Sequence, residues 1–298
     1  MKIAVVGASA DTGRQVVHLL CEQGHDVTAT SRDPARLAGL DPRARVAVFD
    51  IDAPATADGV LASADRIVSV AHAATVPRLL RHVPPDAQRL VVTGSTMRDS
   101  AVPDARAEAV RQGEAAFRAS GLPGSMLHPT MIYGSRNEAN VVRVLRLVDR
   151  WPRWLPLVLP VPGGGRSLVQ PVYVDDVAAA LAAAVTIEPA ADPVVVVAGP
   201  APFRLADMLR ACARFRGRRL WVLPLPTGLL IAVARALRAL VGRSPFSVDE
   251  LLRSRENKDY DIGPLRRQLG IEPVAFAEGL SRGYRTHQYG VEAHQTGE

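Results

Sequence analysis

The stretch Ile3-Ala4-Val5-Val6-Gly7-Ala8-Ser9-Ala10-Asp11-Thr12-Gly13-Arg14-Gln15-Val16-Val17 decides how the rest of the chain is read. An apolar β-prone run leads into small residues, and a helical apolar pattern follows. This is the order of a βαβ unit that receives a dinucleotide. A pyrophosphate must approach the backbone closely, so side chains are unwelcome in the turn. The helix behind it turns N–H groups and the positive end of its dipole toward the phosphates. The spacing is Gly7, two residues, Ala10, two residues, Gly13, so an alanine stands for one glycine of the usual three. Its place directly behind the first apolar run gives the pattern its weight. Ser9, Thr12 and Arg14 complete the candidate phosphate turn.

The chain has 298 residues, enough for one large α/β domain with an appended cap. At 48% hydrophobic and 22% charged it reads as globular rather than disordered. The net charge is +6, and Lys2 and Lys258 are the only lysines, so arginine carries nearly all the positive charge. No basic block interleaved with aromatics occurs, so nucleic acid is not an expected partner, whereas arginine suits anionic small molecules. Cys21 and Cys212 fit no metal spacing and no disulfide framework, and the expected location is a reducing cytoplasm. The apolar run after Met1-Lys2 is broken by Asp11, unlike a signal peptide, and Thr227–Val241 is too short to span a bilayer.

Strand-like runs recur at Ile3–Val6, Val27–Ser31, Val46–Phe49, Ile67–Val70, Leu90–Thr93, Ser125–His128 and Val194–Val197. Helical patterns such as Arg14–Gln23 and Arg106–Ser120 lie between them. The alternation predicts an α/β fold, a doubly wound parallel sheet with right-handed crossovers and a ligand beyond the strands' carboxyl ends. After Gly134 the rhythm changes to a helix over Asn137–Asp149, a proline-broken apolar segment over Trp151–Pro162, and short helices and loops from Phe203 onward. The expected division is a dinucleotide-binding core over 1–135, completed by about 167–200, and a smaller, mainly helical substrate-side cap from 136–166 and 201–298. The tail after Gly290 is polar and is expected to be loose.

The second strand ends Thr30-Ser31-Arg32-Asp33-Pro34. An acidic residue there would accept from a ribose 2′-hydroxyl and favour NAD, whereas a guanidinium pairs with a 2′-phosphate and favours NADP. Arg32 thus points to NADP(H), with Ser31 and Arg14 able to assist. Asp50, followed by Ile51, is placed either for the adenine or for a turn.

Together with these, His128-Pro129-Thr130-Met131-Ile132-Tyr133-Gly134, Gln170-Pro171-Val172-Tyr173-Val174-Asp175-Asp176 and Asp261-Ile262-Gly263 resemble the atypical and extended short-chain dehydrogenase/reductase superfamily. The branch resembled is the NAD(P)-dependent epimerase/dehydratase and NmrA-like one, which includes the Rossmann-type accessory subunit of complex I. The resemblance implies a Rossmann-type sheet. It also implies that Gly7, Gly13 and Arg32 hold phosphates, that Asp50 and Ile51 contact adenine, and that Val70, Ala71 and His72 line the cofactor. Pro129 to Ile132, with Met131, would face the nicotinamide. Asp175 and Asp176 are expected to cap the helix that follows.

The family's tyrosine four residues before a lysine is missing. Neither lysine has a tyrosine at that offset, and aligning Glu114 with the family's glutamate puts Arg106 and Val110 in the pair's places. The lysine of such a pair lowers the phenol's pKa for proton exchange with substrate. Ser95, Tyr133 and His72 are the candidate replacements, with loop, packing and solvated roles as their alternatives; no metal site is expected. Trp151, Trp154, Leu155–Leu159 and Thr227–Val241 could roof an apolar pocket, bury the cap against the sheet, or meet a membrane surface or partner protein. Two functions remain open: an NADP(H)-dependent oxidoreductase or isomerase acting on a small apolar metabolite, and a non-catalytic NADP(H)-binding regulatory or assembly protein.

Overall fold

The computed structural model describes residues 1–53, 59–135, 138, 140–187, 193–241 and 248–284. Six of the expected runs form β1 (Lys2–Val6), β2 (Asp26–Ser31), β3 (Arg45–Val48), β4 (Arg66–Ser69), β5 (Arg89–Thr93) and β6 (Gly124–Pro129). The chain then makes β7 (Ile132–Tyr133), β8 (Leu157–Pro162), β9 (Leu168–Val169) and β10 (Val172–Tyr173) before β11 (Val194–Val197). Short β12 (Phe203–Arg204) and β13 (Leu220–Leu225) follow. The main sheet has seven strands in the order β11-β6-β5-β4-β1-β2-β3. Every neighbouring pair is parallel. The strand order reverses between β1 and β4, the switch point at which such sheets receive ligands.

Before β11 come α1 (Asp11–Glu22), α2 (Val76–Leu79), α3 (Ala105–Ala119), α4 (Asn140–Arg150) and α5 (Val174–Thr186). After it come α6 (Leu205–Phe215), α7 (Thr227–Val241), α8 (Val248–Arg253), α9 (Gly263–Leu269) and α10 (Phe276–Gly283). Helix α1, α5 and α9 bury Val16, Val17, Leu20, Val177, Leu181 and Leu265 against one face of the sheet. On the other face, Val76 and Leu79 of α2 and Val110 and Phe117 of α3 pack with Ala4, Val6, Leu90 and Met126. Both faces are covered, so the strands read as continuous apolar runs rather than alternating ones.

Helix α5 carries no basic residue in its last turn. Its terminal carbonyls are served from the sheet instead. Arg66 donates to Val185 and Thr186 at 2.8 and 3.0 Å, and the buried Arg89 donates to Ala184 at 2.5 Å. Each guanidinium opens a strand and meets the negative end of the helix dipole. Asp175 and Asp176, expected to cap the same helix, do not. The N-cap is Tyr173 without a side-chain cap bond, the aspartates lie in the first turn, and Asp176 accepts from the Val274 amide at 2.9 Å.

The part read as helices and loops also contains a parallel strand pair, β8 with β13, in register from Leu157↔Leu220 to Leu225↔Pro162. One side of it buries Leu157, Val161 and Leu220 against Val148, Leu209 and Ala213 of α4 and α6. Trp154, expected among the residues that could bury the cap, stays 82% exposed, and Trp221 is 65% exposed, so neither buries the cap against the sheet. The expected helix start at Asn137 and the tail after Gly290 lie outside the described residues.

The sheet's tightest contact is at Gly124, where an added Cβ would stand 1.8 Å from the Leu90 carbonyl oxygen on the neighbouring strand. Gly124→Ala should destabilise the protein by about 1–3 kcal/mol through overpacking, seen as a lower urea midpoint with an unchanged slope.

Candidate functional site

The turn after β1 is built by two glycines. Gly7 has φ +82°, a region open to glycine, and a Cβ there would stand 3.4 Å from the Ala71 amide nitrogen. At Gly13 a Cβ would stand 2.6 Å from the Gly7 carbonyl oxygen and 2.8 Å from the Ala8 Cα, so α1 can start this close to β1 only without a side chain there. The turn closes through Ala10 N–H to the Gly7 carbonyl at 3.2 Å, and the Ala8 amide donates to Thr30 at 3.0 Å. No side chain caps α1 at Ala10. Ser9 and Thr12 are half-buried beside it. An uncapped helix N-terminus behind a side-chain-poor turn fits a pyrophosphate. Asp11 lines a cleft of about 630 Å³ beside α1 with Arg14, His18, Asp41 and Arg282.

Around this turn the structure gathers most of the expected residues. The Val70 amide extends β4 by donating to Val6 at 2.9 Å, which brings Ala71 against Gly7. Arg32 is exposed just beyond β2. Ser31 is buried, and its Oγ accepts from the Asp33 amide at 3.2 Å. Arg14 is placed differently from the expectation. Its guanidinium donates to the carbonyls of Arg36 and Ala38 at 2.5 and 3.1 Å, so it fastens the loop behind Arg32. Asp50 makes the turn: its Oδ1 accepts from the Asp52 amide at 3.0 Å, and the Ile51 carbonyl lies 3.0 Å from His82 Nε2.

The proton-donor candidates separate. Tyr133 belongs to the cap's core. It is fully buried, its ring centroid lies 4.8 Å from that of Phe276, and its hydroxyl reaches the Phe276 carbonyl at 3.5 Å. A Cβ at Gly279 would stand 2.0 Å from that oxygen. Burial, followed by the charge of Asp176, raises its pKa well above the ordinary phenol value. The packing alternative therefore accounts for Tyr133, and the proton-donor role is corrected. Tyr173 is likewise buried, with its pKa pushed up to about 12 by burial and Asp175. His72 is exposed, and its Nδ1 accepts from the Ala74 amide at 3.2 Å, which leaves the neutral ring's proton on Nε2.

Ser95 follows β5. Its Oγ accepts from the Met97 amide at 3.1 Å and caps the short turn over Thr96–Asp99, a bond that leaves the hydroxyl proton to donate. The loop is fixed from beneath by His128, which is fully buried. His128 Nδ1 lies 3.0 Å from the Ser95 nitrogen and 3.1 Å from its carbonyl oxygen, and Nε2 lies 3.4 Å from both the Glu114 carboxylate and Arg98. A Cβ at Gly94 would stand 2.4 Å from the imidazole ring, so the ring rests on bare backbone. Burial and then Arg98 push the His128 pKa down to about 4. Burial alone would raise Glu114, but hydrogen bonds from Arg98 at 2.5 Å and Arg118 at 3.0 Å prevail and lower it. Arg106 and Val110, the residues expected in the places of the family's pair, lie exposed on α3 and buried in the sheet-facing core respectively.

Two site residues escaped the sequence reading. Gln170 is buried; its amide donates to the carbonyls of Gly199 and Tyr260 at 2.8 and 3.2 Å and accepts from the Tyr260 amide at 2.8 Å. Its carbonyl accepts from Thr130 Oγ1 at 2.5 Å, and Met131 accepts from the Val172 amide at 2.9 Å. The second is Tyr260, whose phenol bonds Thr96 and Asp99 and is pushed up to about 12, first by burial and then by Asp99. Thr96 in turn reaches the Pro129 carbonyl at 3.4 Å. No spacing could signal either contact, because the partners lie tens of residues apart.

Residues 7–147 match the family model described as NAD(P)H-binding. The chain carries an NAD(P)H-binding domain. The chain is similar to a 3-diazoavenalumate denitrifying reductase from Streptomyces sp., with 29% identity over 237 residues, 63% of this chain and 73% of that protein. The fold is that of the UDP-glucuronic acid 4-epimerase from Bacillus cereus, with TM-score 0.70, 15% identity, and 95% of this chain and 98% of that one covered. It is also that of the UDP-glucose 4-epimerase from Thermotoga maritima, with TM-score 0.66, 17% identity, and 95% and 97% covered. The glycine turn and its surroundings thus sit on a fold shared with these two epimerases.

The His128 geometry fixes a pH dependence. Above pH 6.5 the imidazole is neutral in both states and contributes nothing. Between about 6.5 and 4 the unfolded chain takes up a proton that the fold refuses, so stability falls as pH falls. Urea unfolding should show about 1–2 kcal/mol lost from this group at pH 5 relative to pH 7. His128→Gln should remove that part of the slope. The difference between the two proteins isolates His128 from Asp175 and Asp176, whose raised pKa acts in the opposite sense.

Proposed function

We propose that the protein is an NADP(H)-dependent reductase of the atypical short-chain dehydrogenase/reductase type that acts on a small molecule without a tyrosine–lysine pair. The observation that carries the reading is the glycine turn with Arg32 beyond β2, combined with Arg106 and Val110 in the pair's places. The Gly7–Gly13 turn would hold the pyrophosphate, Arg32 the 2′-phosphate, Asp50 and Ile51 the adenine side, and Val70, Ala71, Pro129 and Met131 the nicotinamide side. The bound cofactor supplies a hydride. The protein binds and orients it, and His128 and Gln170 hold the Ser95 loop and the end of β6 in place.

Without a phenol–ammonium couple the site suits an acceptor that builds little negative charge on oxygen when reduced. The relative named as a denitrifying reductase of a diazo compound supports a reductase over a sugar-nucleotide epimerase. Where a proton is needed, Ser95 and Tyr260 flank the turn that carries it, and His72 is the exposed imidazole. The missing pair equally favours a second reading, a protein that binds NADP(H) without turnover.

Fluorescence titration should give tighter binding of NADPH than NADH, and Arg32→Ala should remove most of that preference, about tenfold or more. Equal affinities in the unaltered protein would refute the NADP assignment. Incubation with NADPH and a pool of small metabolites, read by mass spectrometry, should show a reduced product. Intact cofactor binding with no product would favour the non-catalytic reading. With a substrate in hand, Ser95→Ala should lower turnover about 10²-fold if Ser95 is the proton donor, with the chain still folded and its stability lower by only the lost cap, about 1 kcal/mol. Unaltered turnover would remove it from that role.

A further inference from the structure

We propose that the outer face of the cap docks on an anionic lipid surface. Among the described residues, the large apolar side chains left exposed concentrate there: Trp154 and Leu155 before β8, Trp221 and Leu223 on β13, and Leu229 and Val233 on α7. Trp221 and Leu223 alternate along β13 and so share its outward side. Leu229, Ala232, Val233 and Ala236 are all exposed at helical spacing, which gives α7 an apolar stripe that no other described element covers. The loop carrying Trp154 is fastened to the foot of β13. Arg218 donates to the carbonyls of Trp151, Pro152 and Leu155 at 2.6, 3.1 and 3.1 Å, two residues before the strand begins. The strand pair and the helix that follows it thus form one surface rather than scattered exposures.

Along the segments that form that surface the charge has one sign, and the acids stand at their ends: Asp149, which pairs with Arg216 at 3.2 Å, and Asp249 and Glu250 on α8. From Met208 to Val248 the sequence holds eight arginines and no aspartate or glutamate, and from Arg150 to Val174 it holds three arginines and no acid. Arg150, Arg153, Arg214, Arg219 and Arg235 are exposed. A second copy of the same face would meet it with like charge, which argues against self-association there. Paired exposed tryptophans, an apolar helical stripe and a rim of arginines match the interfacial zone of a bilayer with anionic headgroups. Indole rings settle at headgroup depth there, and guanidinium groups keep their charge among the phosphates while their stems cover apolar surface. No described helix is long and apolar enough to cross a membrane, so the contact is one of lying on the surface.

The test is flotation of the full chain with vesicles of phosphatidylcholine alone and of phosphatidylcholine with phosphatidylglycerol, at low and at physiological salt. The expected result is binding to the anionic vesicles, at least tenfold weaker binding to the neutral ones, loss with added salt, and a blue shift of tryptophan emission. Trp154→Ser with Trp221→Ser, and separately Arg153→Glu with Arg219→Glu, should each lower partitioning about tenfold or more, with unchanged far-UV circular dichroism and melting temperature. Absence of binding to anionic vesicles at low salt would overturn the proposal. So would binding that both double variants leave unchanged. A soluble dimer that Trp221→Ser dissolves, without vesicle binding, would assign the face to a protein partner instead and would equally overturn it.

Discussion

The contact between Gly13 and the Gly7 carbonyl sets the rest of the structure. A Cβ at Gly13 would overlap that oxygen, so the helix can begin where it does only because the side chain is absent. With α1 held there, its buried face meets α5 across one side of the sheet, and β1 stands between β2 and β4 at the switch point. The same closeness leaves an uncapped helix end facing a turn of small residues. Close packing and an open helix end are thus two results of one missing methyl group. The alanine at position 10 costs nothing in this geometry, since it is exposed and has an ordinary extended backbone.

The chain's arginines do more structural work than its composition suggests. Arginine suits phosphates, yet several of these guanidinium groups end on backbone carbonyls: Arg14 on the loop after β2, Arg66 and Arg89 on the end of α5, Arg218 on the loop before β8. A planar fork with several donors can bridge two carbonyls at once, which an ammonium does less well. In a chain with two lysines, arginine takes over the closing of helix ends and loops.

The strands of the sheet were legible as short apolar runs, most of them buried between two layers of helices, with β3 the edge strand whose Val46 and Val48 stay exposed. The turn at Gly7–Gly13 was legible because its demand is local. Strand β13 was not, because Pro224 interrupts it and its partner β8 carries Pro160 and Pro162, residues that argue against strands until two of them are paired at an edge. Tyr133 stands in β7, beyond the end of β6, and its turn toward Phe276 rather than the ligand space was not legible, since Phe276 lies 143 residues away. The Ser95–His128–Glu114–Arg98 cluster was illegible for the same reason. Each member had an ordinary local explanation, and only the fold makes them neighbours.

Gln170 illustrates what such neighbours impose. Its side chain spends both ends of one amide, donating to Gly199 and Tyr260 and accepting from Tyr260, in a place closed to water. Glutamate would bring two acceptors where a donor is needed, lysine would bring donors alone, and asparagine is shorter by a methylene. The identity of this residue is therefore dictated by the architecture and is indifferent to the reaction. In the divergence of chains like this one, a retained glutamine would report only that the fold survives. Descendants that exchanged substrates, or abandoned chemistry altogether, would be under the same obligation to keep it.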